Sequence, residues 1–245
     1  MRILVSIDDT DDEYSRGTGE IAEILAAGIE RNGWGACGRV TRHQLFLHPD
    51  IAYTSHNSSM CFPVHSDLEQ LDAFIDWCGT RLGEESVSTA DPGLCVLAVD
   101  NLADPGTLIE YGRSAKLRIY SKDEAYSLAR ELGVHLSEHG GTGIGVIGAL
   151  AGAGLRLSGN DGRFKGKFRI PSDSSTATVA TIKTYGAESV RTQEGRELGD
   201  EDVVEIHEEC KFVLLDGTAV LLVEPGSADG PAPWRIVSRK ALKSY

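Results

Sequence analysis

The sequence predicts an α/β (α+β) protein in two parts, and three observations carry that reading. Over the first two thirds, strand-like apolar runs alternate with segments of helical period. From about residue 170 the character turns to short β-rich runs. There Asp216-Gly217 separates KFVLL from TAVLLV, a strong two-residue hairpin signal. The expected division is a larger module over 1–168 and a smaller β-rich unit over 169–245.

The elements follow in order. RILVSI (2–7) reads as a buried strand. GEIAEILAAGIERNG places Ile21, Ile24, Leu25 and Ile29 on one helix face, and Gly33 stops it. GRVTRHQLFL (38–47) is rich in β-formers, and SSMCFPVH (58–65) reads as a strand whose Pro63 suggests an edge or an end. SDLEQLDAFIDWCGTRL reads as a helix with a Ser66/Glu69 capping box. A polar loop leads to the strand LCVLAV (94–99), then to helices over 105–116 and from Ser121, boxed with Glu124, to about Leu132. VHLSEHGGTGIGVIGALAGAGLRL follows as strand, glycine loop and helix.

A chain of 245 residues is long enough for a sizeable core. Its net charge of −13 disfavours nucleic acid as a partner, since binders of nucleic acid carry a basic footprint. Charge is uneven: residues 194–209 hold eight acids and one base, while PWRIVSRKALKSY holds four bases and no acid. The five cysteines lack C-x-x-C spacing, which argues against a cysteine zinc site and for reduced thiols. With no apolar leader and no long apolar run, a cytoplasmic location is the default expectation and no membrane partner is expected. The β-rich unit leaves a homo-oligomer open.

Chemistry concentrates in four places. IDDTDDEYSRGTGE sets Asp8, Asp9, Asp11 and Asp12 at a strand's exit. Such a crowd suits Mg²⁺, which takes one or two carboxylates together with phosphate oxygens. The plainer reading is a solvated turn in which the acids cap backbone N–H groups. Gly17-Thr18-Gly19 opens the first helix, where free amides favour a phosphate, unless Thr18 merely caps that helix. HGGTGIG offers Gly141, Thr142, Gly143 and Gly145 as an anion loop that matches neither named nucleotide motif. Gly148, Gly152 and Gly154 read as packing residues. In YTSHNSSM, His56 and Asn57 are candidates to orient a phosphate or base. Arg16, Lys165 and Lys167 are the candidate cationic clamp.

Together, IDDTD, LHPDIAYTSHNSS and GGTGIGVIGALAGAGL resemble, in order and spacing, the archaeal tRNA(Ile) 2-agmatinylcytidine synthetases over about residues 1–165. The resemblance implies an ATP- and Mg²⁺-dependent kinase-like catalytic module beside a ferredoxin-like domain. It implies ATP activation of a tRNA cytidine at its C2 carbonyl, followed by attack of agmatine. It assigns Asp8, Asp9 and Asp11 to metal and phosphates, and Gly141, Gly143 and Gly145 to the glycine run. It makes Thr18 a phosphoacceptor, and it leaves Asp12 and Glu13 as solvated extras. Where the family has K-T-R-G-N-G this chain has Thr54-Ser55-His56-Asn57-Ser58-Ser59, with only Asn57 matching directly. Ile144 replaces the arginine of G-R-G, and the cysteine ribbon that follows the family's OB-fold has no counterpart in this sequence.

The expected function is an ATP- and Mg²⁺-dependent phosphoryl- or adenylyl-transfer enzyme, a transferase or ligase acting on a small-molecule or nucleotide acceptor. Two alternatives stand beside it: a non-catalytic nucleotide-binding or regulatory protein, and a tRNA-modifying enzyme that needs a separate RNA-binding partner.

Overall fold

The computed structural model describes residues 1–51, 57–171, 175–206 and 209–245. It divides into two compact units, Met1–Ser158 and Gly159–Tyr245. The division falls ten residues before the one read from the sequence, because Phe164 packs into the second unit's core and Arg163 pairs with Val213.

The first unit opens with β1 (Arg2–Asp8) and α1 (Thr18–Arg31). Then come β2 (Ala36–Cys37), β3 (Thr41–Gln44), β4 (Ser58–His65), α2 (Asp72–Glu85) and β5 (Gly93–Ala98). It closes with α3 (Pro105–Ser114), α4 (Lys122–Leu132), β6 (His135–Glu138) and α5 (Val146–Leu157). Its sheet runs β6-β5-β1-β4-β3, with β2 also on β4, and every neighbouring pair is antiparallel.

Alternation along β1 explains the layers. Ile3, Val5 and Ile7 face a core with Ile21, Leu25, Phe74 and Leu82 of α1 and α2. Leu4 faces the opposite core, built with α3, α4 and α5. Ser6 and Asp8 continue that second face toward α5. An added Cβ on Gly152 would strike Ser6 and Ser59, and one on Gly148 would strike the Asp8 carboxylate. Two strand residues span about 6.8 Å and one helix turn of four residues about 6 Å, so the glycine pair on α5 keeps step with the polar pair on β1.

Two expectations are corrected. Pro63 lies in an interior strand, since β4 pairs with β1 on one side and with β2 and β3 on the other. Its carbonyl accepts from Gly38 beyond the end of β2, so its missing N–H faces the gap between β2 and β3, where no ladder bond is required. The Ser66/Glu69 box does not form. Ser66 Oγ instead donates to the Trp34 carbonyl at 2.5 Å and accepts from Leu68, and α2 starts later, at Asp72.

The second unit holds β7 (Arg163–Phe164), β8 (Thr176–Thr178), α6 (Val179–Thr184), β9 (Ser189–Thr192) and β10 (Val203–Glu205). It ends with β11 (Val213–Leu215), β12 (Thr218–Pro225) and β13 (Trp234–Ile236). The strands run β7-β11-β12-β13-β10-β8, and β9 lies parallel to β12. Asp216 and Gly217 take φ of 49° and 76°, the left-handed pair that the hairpin turn requires.

Candidate nucleotide site

The exit of β1 carries the chemistry of the first unit. Asp8 ends the strand, and Asp9 turns the chain out of it in a left-handed conformation, φ 54°. Both carboxylates line a cleft of about 140 Å³ with Asp50, Asp91, Asn57, Arg118 and Gly145. Ile51, Ile119, Tyr120, Ile144 and Ile147 supply its apolar walls. Among the described residues that line it, Arg118 is the one cation against four carboxylates. Its guanidinium lies 3.8 Å from the Tyr120 ring centre and donates to Glu124 at 3.2 Å.

The crowding has an electrostatic signature. Burial, with Asp9 adding like charge, pushes the Asp8 carboxyl well above the usual carboxylate range. Burial and the neighbouring Asp91 push Asp9 up to about 6. Such values mark a site where a cation would be welcome.

Asp91 is the residue that sequence reasoning missed. Its carboxylate accepts the amides of Thr142 and Gly143, and its carbonyl accepts Gly145 N–H at 3.1 Å. The glycine loop is thus held by an internal anion. Gly141 and Gly143 have φ of 52° and 71°, and an added Cβ would strike Asp91 at the first and Glu138 at the second. Lys122 completes the support by bonding both Glu138, at 2.8 Å, and the Thr142 carbonyl. The only local hint of Asp91 was an acid just before the Pro-Gly that enters β5. Its partners lie some fifty residues further on, out of reach of any pattern.

Asp11 and Thr18 form a second group at the N-terminus of α1. Thr18 Oγ1 donates to Asp11 Oδ1 at 2.9 Å and receives the Thr10 hydroxyl at 3.1 Å. Gly17, not Thr18, is the N-cap, so the capping reading of Thr18 gives way to a buried hydroxyl held by a carboxylate. Gly19 is buried in the first turn. Asp12 makes a local turn, accepting Tyr14 N–H at 3.0 Å. Arg16 is engaged by Glu85 at 2.6 Å, while Lys165 and Lys167 belong to the second unit.

Of the residues singled out in the sequence, the cleft therefore gathers Asp8, Asp9, Asn57 and Gly145. Asn57 spends its amide on the Phe46 carbonyl at 2.7 Å. His56 lies outside the described residues. Among the described residues no three His, Cys, Asp or Glu side chains group into a metal site by themselves. The donor set at β1 fits Mg²⁺ as a cation shared with phosphate oxygens, the coordination this ion favours.

The fold and site define an α/β protein with an acidic strand-end cleft beside a glycine loop. No protein-family model and no curated protein matches the chain. Solved structures do. Apo TiaS, an agmatidine synthetase of isoleucine tRNA, aligns at 23% identity and TM-score 0.54 over 63% of this chain and 35% of its own. A tRNA fluorescent labeling enzyme aligns at 26% identity and TM-score 0.54, over 63% of this chain and 36% of that one. A complex of TiaS with its tRNA and ATP gives the same values. The likeness foreseen in the sequence is present in the structure, and the chain spans about 35% of the length of the proteins it matches. No helix among the described residues is long and apolar enough to cross a membrane.

Proposed function

We propose that this chain is an ATP-dependent enzyme of the tRNA-modification type, related to TiaS, that transfers a phosphoryl or adenylyl group to an acceptor. The observation that carries the reading is the convergence of Asp8, Asp9 and Asp91 at one end of an apolar-walled cleft, in a fold shared with a TiaS–tRNA–ATP complex. Asp8 and Asp9 would hold Mg²⁺ together with the triphosphate. The ion would supply charge neutralisation along the phosphates.

The chain's own residues do the positioning. Ile51, Ile119 and Ile144 offer apolar surface to a base, and Arg118, braced on Tyr120 and Glu124, sets a positive charge at the rim. A cation held by Asp8 and Asp9 would favour their ionised forms and would offset the repulsion between the two carboxylates. Thr18 would serve as an internal phosphoacceptor: Asp11, which accepts its hydroxyl hydrogen, would take that proton as Oγ1 attacks the γ-phosphorus of ATP and ADP leaves. The amides of Gly17-Thr18-Gly19 and of the loop from Gly141 through Thr142 and Gly143 to Gly145 would steady phosphate oxygens. In the loop, that role requires the Asp91 carboxylate to withdraw from Thr142 and Gly143.

The same Asp91 contact favours a second reading, a nucleotide-binding regulatory protein without turnover, since the loop's anion place is already filled. One experiment separates the readings. Calorimetry of the full chain should give 1:1 binding of ATP in Mg²⁺, weakened roughly tenfold or more by Asp9→Asn. ATP consumption that requires tRNA and an amine supports the enzyme. Binding without turnover across tRNA and amine acceptors supports the regulator. No binding of ATP with Mg²⁺ sinks both.

A further inference from the structure

The second unit holds a cavity of about 540 Å³ beside a surplus of positive charge. The surplus draws on the sequence R-F-K-G-K-F-R at 163–169, of which β7 takes only Arg163 and Phe164. Phe164 is buried and Phe168 stacks on Phe212 at 4.2 Å, while the Lys167 and Arg169 side chains are largely exposed. Lys167 reaches Glu209 at 2.8 Å and Arg169 reaches the same carboxylate at 3.7 Å. Arg239, from the segment after β13, joins it at 2.9 Å. Lys211 stands two residues beyond Glu209 and donates its ammonium to the Gly166 carbonyl. Three cations thus meet one carboxylate among the described residues, with the Lys211 ammonium nearby in sequence and held by a carbonyl. Burial, with Arg239 adding like charge against the opposing pull of Glu209, holds Lys211 below its ordinary range.

The cavity lies against this cluster. Glu209, Lys211 and Arg239 form its charged side, and Leu221, Leu222, Ile236, Val237 and Leu242 form its apolar side. Its volume falls within the roughly 300–1,000 Å³ of small-ligand sites. Single-stranded RNA is held differently, on extended grooves with aromatic stacking platforms, and no aromatic side chain is among the described lining residues. We propose that this cavity binds a small amphipathic anion, with its charged head on Lys211 and Arg239 and its aliphatic body against the leucine, isoleucine and valine wall. Nothing in this inference depends on the nucleotide cleft of the first unit.

Octyl phosphate and octanoate are the probes, titrated calorimetrically into the full chain, with octanol, inorganic phosphate and poly(U) as controls. At least one of the two probes should bind 1:1, and whichever binds identifies the head as phosphate or carboxylate. Octanol and inorganic phosphate should each bind about tenfold or more weaker, since each offers half of the ligand. Arg239→Gln, at an exposed position, should leave the urea midpoint unchanged and weaken the probe about fivefold or more. Lys211→Met should weaken it similarly. Failure of both probes overturns the proposal, and so does undiminished binding by both variants. Octanol binding as tightly as octyl phosphate overturns it as well. A poly(U) complex abolished by Arg239→Gln, with both probes silent, would reassign the cluster to nucleic acid.

Discussion

Asp9 shows what a single side chain costs this fold. Its carboxyl rises from 3.8 to about 6 on folding, through burial and through Asp91. The folded protein therefore holds a proton that the unfolded chain releases between those values, and stability falls as pH rises across that window. Well below pH 3.8 both states are protonated and the cost vanishes. The shift corresponds to about 3 kcal/mol at 1.36 kcal/mol per unit, reduced to roughly 1–2 because Asp9 keeps part of its surface in water. Asparagine removes the charge and tolerates the left-handed backbone at this position. Asp9→Asn should accordingly raise ΔG of unfolding by about 1–2 kcal/mol at pH 7.5 without nucleotide, and by only a few tenths at most at pH 4. Urea midpoints at the two pH values read it, and a less stable variant at pH 7.5 would refute the account. The same substitution should weaken ATP binding, a gain in stability traded against function at one residue.

At the scale of elements, α5 is held by what it lacks. Gly148 and Gly152 let its backbone approach Asp8, Ser6 and Ser59, and Gly154 approaches the Leu108 carbonyl of α3. A methyl at 148 would drive the Asp8 carboxylate from its place. Gly148→Ala should cost about 1–3 kcal/mol despite its better helix propensity, and should also weaken ATP binding. Thermal unfolding and calorimetry on the one variant test both halves, and a stabilised Gly148→Ala would contradict the packing described. That these glycines pack was legible, because the spacing sits inside one helix. So was the Ser121/Glu124 box, which forms with both its bonds, and the Asp216-Gly217 hairpin. The same S-x-x-E signature failed at Ser66 because that hydroxyl finds Trp34, thirty-two residues away in sequence. Strands of two to four residues such as β7, β8, β10 and β13 are too short to show a period. Within the site, the Asp run at β1 was legible as a local crowd, whereas Asp91 and Arg118 enter only through folding.

The whole molecule is two units with separate cores. The clusters around Leu4 and Ile3 contain only residues of the first unit, and those around Phe212 and Val213 only residues of the second. Charge divides along the same line. Residues 159–245 hold 12 Lys and Arg against 14 Asp and Glu, so most of the chain's −13 falls on the first unit. The acidic cleft belongs to that unit entirely, since its described lining residues run from Asp8 to Ala151. A fragment of residues 1–158 should therefore fold cooperatively and bind ATP with Mg²⁺ within about threefold of the full chain. Chemical denaturation and calorimetry on the fragment measure the two properties separately. A fragment that folds but has lost ATP would place essential nucleotide contacts in the second unit and overturn the cleft as the complete binding site. Removing Mg²⁺ should weaken ATP binding to both forms alike, because the Asp8 and Asp9 carboxylates then meet the triphosphate with no cation to offset the like charge.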